Sequence, residues 1–230
     1  MKTFADKVIS FNKHLDFSGT LPPNIKIMNP FKNNGVAIST TTEFYKKYYN
    51  DNNSRQIILG INPGRFGGGI TGIPFTDPKR VIEKCKLKFA GELAHEPSSV
   101  FVYEVIDAFG SPEAFYKKFY INSVCPLGFT LTGKNGKDVN YNYYDSKELT
   151  NAVHDFIITN IKKQISFGIE TDTAFCFGTG KNEKFIRELN EEKKFFKNII
   201  ALEHPRYIMQ YKSKNKKFYI DKYLTAFKTN

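Results

Sequence analysis

The sequence predicts a three-layer α/β/α fold around a central, mostly parallel sheet of four strands. Three observations predict it. Short apolar runs recur at 55–61, 119–125, 173–177 and 198–202, and each meets a Gly or Pro within three residues. Helical stretches separate them, so strands and helices alternate along the chain. The runs are apolar on both sides, as strands covered on two faces are.

The elements follow in order. Residues 55–61, Arg-Gln-Ile-Ile-Leu-Gly-Ile, read as a buried strand delivering the loop Asn62-Pro63-Gly64. Asp77 then caps a helix with Pro78 at its first position, predicted to run to about Phe89. Ser111-Pro112 repeats the device for a helix ending near Phe119, and 119–125 is the second strand, stopped by Pro126. A loop rich in Gly, Asn and Lys is expected over 132–140. Asp145 and Glu148 suggest a capping box for a long helix whose apolar positions Leu149, Val153, Phe156, Ile157 and Ile161 share one face. The third strand, 173–177, ends at Gly178-Thr179-Gly180, and a charged helix covers about 181–193. The fourth strand, 198–202, runs into Glu203-His204-Pro205-Arg206. The last helix, about 215–228, keeps Ile220, Tyr223, Leu224 and Phe227 to one side. No repeat or low-complexity linker divides the chain, so one domain over 1–230 is expected.

In such a fold the working residues sit on loops at the carboxyl ends of the strands. Asn62, Asn122 and His204 all fall at or near those ends. The composition supports a polyanionic partner. Lys and Arg total 34 against 23 acids, a net charge of +11, and only five of the cations are Arg. A lysine excess suits phosphate neutralisation better than base reading. Residues 206–230 alone hold seven cations and one acid, Asp221, beginning beside His204. The 22 Phe and 13 Tyr supply a core and, in places, surfaces on which bases can stack. Three scattered cysteines and four scattered histidines offer no ligand spacing for a metal, so neither metal nor cofactor is expected. No run approaches the ~18 apolar residues of a membrane span, so no membrane association is expected.

Two glycine clusters resemble phosphate loops and fail on mechanism. Gly67-Gly68-Gly69-Ile70-Thr71-Gly72 satisfies G-x-G-x-x-G, but Pro74 and Pro78 are expected to delay the helix until about residue 78. Gly178-Thr179-Gly180-Lys181-Asn182 lacks the first glycine at the required spacing and has Asn where a hydroxyl should meet magnesium.

The stretch from Gly60 to Phe75, Gly-Ile-Asn-Pro-Gly-Arg-Phe-Gly-Gly-Gly-Ile-Thr-Gly-Ile-Pro-Phe, resembles the first motif of the single-strand-selective monofunctional uracil-DNA glycosylases, a branch of the uracil-DNA glycosylase superfamily. Further segments agree in order: Leu21-Pro22-Pro23 with Met28-Asn29-Pro30-Phe31, Asn122 with Cys125-Pro126-Leu127, and His204-Pro205. They span about 21–210, and the match is nearest to the second, bacterial subfamily.

The resemblance implies a monomeric, monofunctional base-excision repair enzyme of the bacterial cytoplasm and its nucleoid, acting on DNA that contains uracil or another deaminated base. It also implies roles. His204 would donate a hydrogen bond to the pyrimidine O2 as negative charge gathers there, and Asn62 would orient the attacking water, a carboxamide being a poor base. Asn122 can offer its carbonyl to uracil N3–H and its amide to O4, a pattern that cytosine reverses. Phe75 would stack on the extruded base.

Two departures from the family pattern matter. In the run Gly67-Gly68-Gly69 the second and third glycines stand where bulkier residues are usual, which predicts an open or flexible wall near uracil C5 and tolerance of xanthine and hypoxanthine, with Gly67 and Gly68 beside the base. Arg206-Tyr207-Ile208 replaces Ser-Pro-Arg, leaving Arg206 or Tyr207 as the wedge that fills the gap after base flipping. Arg65, Arg206, Tyr207, Lys212 and Lys214 are the expected DNA contacts. The alternatives are a glycosylase mainly for deaminated purines and a non-catalytic module that binds damaged or single-stranded nucleic acid.

Overall fold

The computed structural model describes residues 1–133 and 135–228. Its central sheet contains β2 (Arg55–Gly60), β3 (Phe119–Ser123), β6 (Ile169–Phe177) and β7 (Asn198–Leu202), in the order β3-β2-β6-β7 and parallel throughout. A second, antiparallel sheet joins β1 (Ile25–Met28), β4 (Gly128–Thr132) and β5 (Asp138–Tyr141) in the order β1-β4-β5.

Adjacent residues of β3 show how the layers form. Phe119 packs with Phe115 and Phe227 on one face, and Tyr120 packs with Phe4, Tyr45 and Tyr49 on the other, as the period of two requires. The first face belongs to α5 (Pro97–Phe109), α6 (Pro112–Lys118) and α10 (Lys216–Lys228), the second to α1 (Phe4–Lys13), α2 (Gly35–Tyr48) and α7 (Lys147–Ile165). α8 (Lys181–Lys193) adjoins α7 through the Phe185 and His154 rings. Leu149, Val153, Ile157 and Ile161 are buried along α7, with Phe156 half-buried at its edge.

Several local expectations need correction. The helix begun by Asp77 and Pro78, α4, ends at Glu83, because Lys86 turns left-handed at φ 55° and leads the chain away. The cap of α7 is Ser146, whose hydroxyl accepts from the Leu149 N–H at 3.2 Å, while Asp145 instead accepts from the Asn142 N–H. Of the loop expected at 132–140, residues 132 and 138–140 belong to the strands of the β4–β5 hairpin. A one-turn helix, α3 (Gly68–Thr71), does open among the glycines, well before residue 78. It stops at once, because Gly72 turns left-handed at φ 72°.

β2 occupies the point where the strand order reverses, with β3 on one side and β6 on the other. Loops leaving its carboxyl end part at this point and leave a crevice. Register fixes the neighbours: Leu59 lies level with both Asn122 and Cys176, and Cys176 with Ala201. Asn62, Asn122 and His204 therefore leave the same edge of the sheet.

Candidate active site

A cleft of about 340 Å³ opens at that edge, and its wall includes Asn62, Phe75, Glu96, His204, Arg206 and Tyr207. Asn62 follows β2 and reaches the small sheet. Its Oδ1 accepts from the Tyr143 N–H at 3.0 Å, and its Nδ2 donates to the Tyr141 carbonyl at 3.3 Å. Both ends of the amide are thus set by backbone, and the side chain cannot flip without losing both bonds. Gly128 admits this approach: a Cβ there would lie 2.5 Å from the Pro63 carbonyl oxygen.

Phe75 sits on a loop pinned by the buried Thr71 hydroxyl, which donates to the Thr76 carbonyl at 2.6 Å and accepts from the Ile73 N–H at 3.1 Å. The Phe75 backbone is left-handed at φ 52°, an unfavourable choice for a residue with a Cβ. Packing holds it there. The ring lies 5.4 Å from that of Phe177 and 5.7 Å from that of His204, over the bare Cα of Gly60. A Cβ on Gly60 would meet the Phe75 ring at 2.6 Å.

His204 caps α9 (Pro205–Tyr211), a helix the sequence did not reveal. Its Nδ1 accepts from the Arg206 N–H at 3.1 Å, so Nδ1 is bare and Nε2 carries the proton. Burial of the ring, with the Arg206 cation, lowers its pKa to about 4. The imidazole is a neutral N–H donor at physiological pH.

Asn122 is buried near the carboxyl end of β3. It lines not the main cleft but a narrow pocket of about 10 Å³ that shares Pro63, Gly68 and Pro74 with it. Its Nδ2 donates to the Tyr120 hydroxyl at 2.7 Å, and its Oδ1 accepts from the Ser123 N–H at 2.8 Å. The amide orientation is fixed, and one hydrogen and one lone pair remain unused.

The glycine loop is not bare. Gly67 and Gly68 are buried. The place of a Gly67 side chain is taken by the Glu96 carboxyl, whose Cδ lies 2.6 Å from the Cβ position, and a Gly68 Cβ would meet Ile73 O at 3.3 Å. No motif marks Glu96 in the sequence, because it precedes Pro97 in a segment far from the glycines.

The expected DNA contacts surround the mouth unevenly. Arg206 and Tyr207 are exposed at the start of α9, and Tyr207 pairs with exposed Tyr211 at 5.5 Å. Lys214 is exposed and Lys212 half-buried beyond that helix. Arg65 is partly committed: its guanidinium lies 4.6 Å from the Phe66 ring centre and bonds the Asp138 carbonyl. Arg55 is removed from the surface altogether, sandwiched between Phe4 and Tyr49 and paired with Asp51 at 2.9 Å. Lys216 and Lys222 are held by Glu104 and Glu203.

A neutral imidazole donor, a fixed carboxamide and an aromatic face line one crevice at the carboxyl edge of the sheet. Comparison with known proteins gives the class. The family model of the uracil DNA glycosylase superfamily matches residues 46–228, and the chain belongs to that superfamily. It is similar to wild-type SMUG2 of Pedobacter heparinus, whose crystal structure superposes with a TM-score of 0.97 at 65% identity, covering 100% of this chain and 98% of that one. The chain is a uracil-DNA glycosylase of the monofunctional, hydrolytic kind. No curated protein matches it. No helix of the described residues is long and apolar enough to cross a membrane.

Proposed function

We propose that the protein removes uracil, and with it the deaminated purines xanthine and hypoxanthine, from DNA by base flipping and hydrolysis. The observation that carries this reading is the convergence of Asn62, Phe75 and His204 on one cleft, with Asn122 in the slot behind it.

The chemistry follows from the side chains. The extruded base stacks on Phe75, and its Watson–Crick edge points between Pro63, Gly68 and Pro74 toward Asn122. There the spare Asn122 lone pair takes N3–H, and the spare hydrogen meets O4. Cytosine presents the opposite pattern and leaves two unpaired groups, a mismatch worth roughly 1–3 kcal/mol for each.

As the C1′–N1 bond breaks, its electron pair moves into the ring toward O2. The His204 Nε2–H donates to that oxygen, already oriented, so no reorganisation is needed when charge develops. Asn62 holds a water against C1′ through what remains of its carbonyl, and that water's proton leaves to solvent. Arg206, Tyr207, Lys212, Lys214 and Arg65 contact the phosphates, with Tyr207 at the edge of the vacated stack.

The test is release of base from oligonucleotides carrying one uracil, hypoxanthine or xanthine, read by alkaline cleavage of the abasic product. Asn62→Ala and His204→Ala should each slow uracil release about 10²–10³-fold, in line with loss of a preorganised donor or orienting group. DNA affinity should change far less. Binding without base release by the unaltered protein overturns the reading.

A further inference from the structure

Glu96 stands in the wall shared by two cavities. One is the cleft with Asn62, Phe75 and His204; the other, of about 330 Å³, is lined by Phe66, His95, Pro97 and Met209, and both include Asn140 and Arg206. The carboxyl lies against bare glycine backbone, with Oε1 2.8 Å from the Cβ position of Gly64 and Cδ 2.6 Å from that of Gly67. It is held in place: Oε2 accepts from the Ser99 hydroxyl at 3.2 Å, and the Glu96 N–H donates to Asp77 Oδ2 at 2.8 Å. Among the described residues Oε1 has no hydrogen-bond partner.

The charged surroundings of this carboxyl are mixed. Asp77, itself paired with Arg80 at 3.3 Å and His95 at 3.5 Å, faces it from the start of α4, and Arg206 faces it from α9. Burial, above all, pushes the carboxyl up to about 7. The Ser99 hydrogen bond and Arg206 pull it down, and Asp77 adds to the rise. Near neutral pH much of it is the uncharged acid, which can stand beside DNA without repelling phosphate.

Uracil departure makes no use of an acid here, since its charge is met at O2. A purine leaves differently. The electron pair of the C1′–N9 bond enters the imidazole ring, and N7 is the basic atom of that ring, so a proton on N7 converts an anionic leaving group into a neutral base.

We propose that Glu96 is the catalytic acid for deaminated purines, its proton passing to N7 as the C1′–N9 bond breaks. This rests on the reading that the protein releases purines. The water oxygen bonds to C1′ and its surplus proton goes to solvent. The base departs as its N7–H tautomer, and solvent returns a proton to the Glu96 carboxylate. The net reaction is addition of water across C1′–N9.

The experiment is single-turnover excision of uracil, hypoxanthine and 7-deazahypoxanthine, which lacks the basic N7, by the unaltered protein and by Glu96→Gln. The hypoxanthine-to-uracil rate ratio should fall by about 10²-fold or more in Glu96→Gln, the usual worth of a general acid. In the unaltered protein that ratio should decline as pH rises through 7, and 7-deazahypoxanthine should resist excision. A ratio that the substitution leaves alone, or efficient release of 7-deazahypoxanthine, overturns the proposal. So does uracil release with no purine release. Failure to release uracil at all would instead overturn the proposed function. The pH and deaza measurements stand even if Glu96→Gln does not fold.

Discussion

The backbone N–H of Arg206 donates to Nδ1 of His204 at 3.1 Å, and this bond decides which nitrogen of the ring can act. The first turn of α9 thereby fixes the tautomer of the residue that caps it. Protonating the ring would sacrifice the bond and place a second cation beside the Arg206 side chain, and burial penalises the charge as well.

Uracil release should therefore be insensitive to His204 titration between about pH 5.5 and 8. The ring's pKa is lowered to about 4, so the neutral Nε2–H donor persists above that value and is lost only as pH falls toward it. A single-turnover pH–rate profile checks this. A step near pH 6.5, the ordinary histidine value, would show the ring free of Arg206 and solvated.

Tyr120 orients Asn122 through the 2.7 Å bond from the amide. Tyr120→Phe should leave a buried Nδ2–H unpaired and free the amide to turn. Uracil release should slow about tenfold, and the margin against cytosine should narrow, both read on matched oligonucleotides. The fold should survive, since the ring itself remains packed.

Gly60 exists for the ring above it. Gly60→Ala would bring a methyl to 2.6 Å from Phe75 and should tilt that ring away from His204, slowing uracil release about 10²-fold at a stability cost of about 1–3 kcal/mol. Gly35→Ala, at the start of α2 with nothing within 4 Å, should leave activity and melting temperature essentially unchanged or raise the latter slightly.

The surface cations should divide into two classes. Replacing Arg206, Lys212 or Lys214 should each lower the slope of log affinity against log salt by about one, measured by fluorescence anisotropy at several ionic strengths. Replacing Lys216 or Lys222 should lower it less, because Glu104 and Glu203 already neutralise them at 2.6 and 2.7 Å.

Strand positions were legible because an apolar run closed by Gly or Pro is a local signal. Observed β2 and β7 fall within a residue of the expected runs, while β3 stops two residues early and β6 begins four early. Strands that are parallel and adjacent then bring Asn62, Asn122 and His204 to one edge. Less legible were elements whose pattern is weak by itself. Residues 132 and 138–140, read as loop from the Gly, Asn and Lys among them, become strand by pairing β4 with β5 in a sheet that β1 completes.

By itself, then, the sequence determined the parallel sheet, its carboxyl edge and the residue types gathered there, since these follow from short apolar runs and one continuous motif. Tertiary structure alone decided how those groups are aimed. The Asn62 amide is set by backbone 79 and 81 residues away, the Asn122 amide by a tyrosine two residues back that the pleat turns to the same face, and the glycine wall by Glu96. Hydrogen-bond direction depends on which backbone groups packing brings within about 3 Å, and spacing along the chain does not encode that.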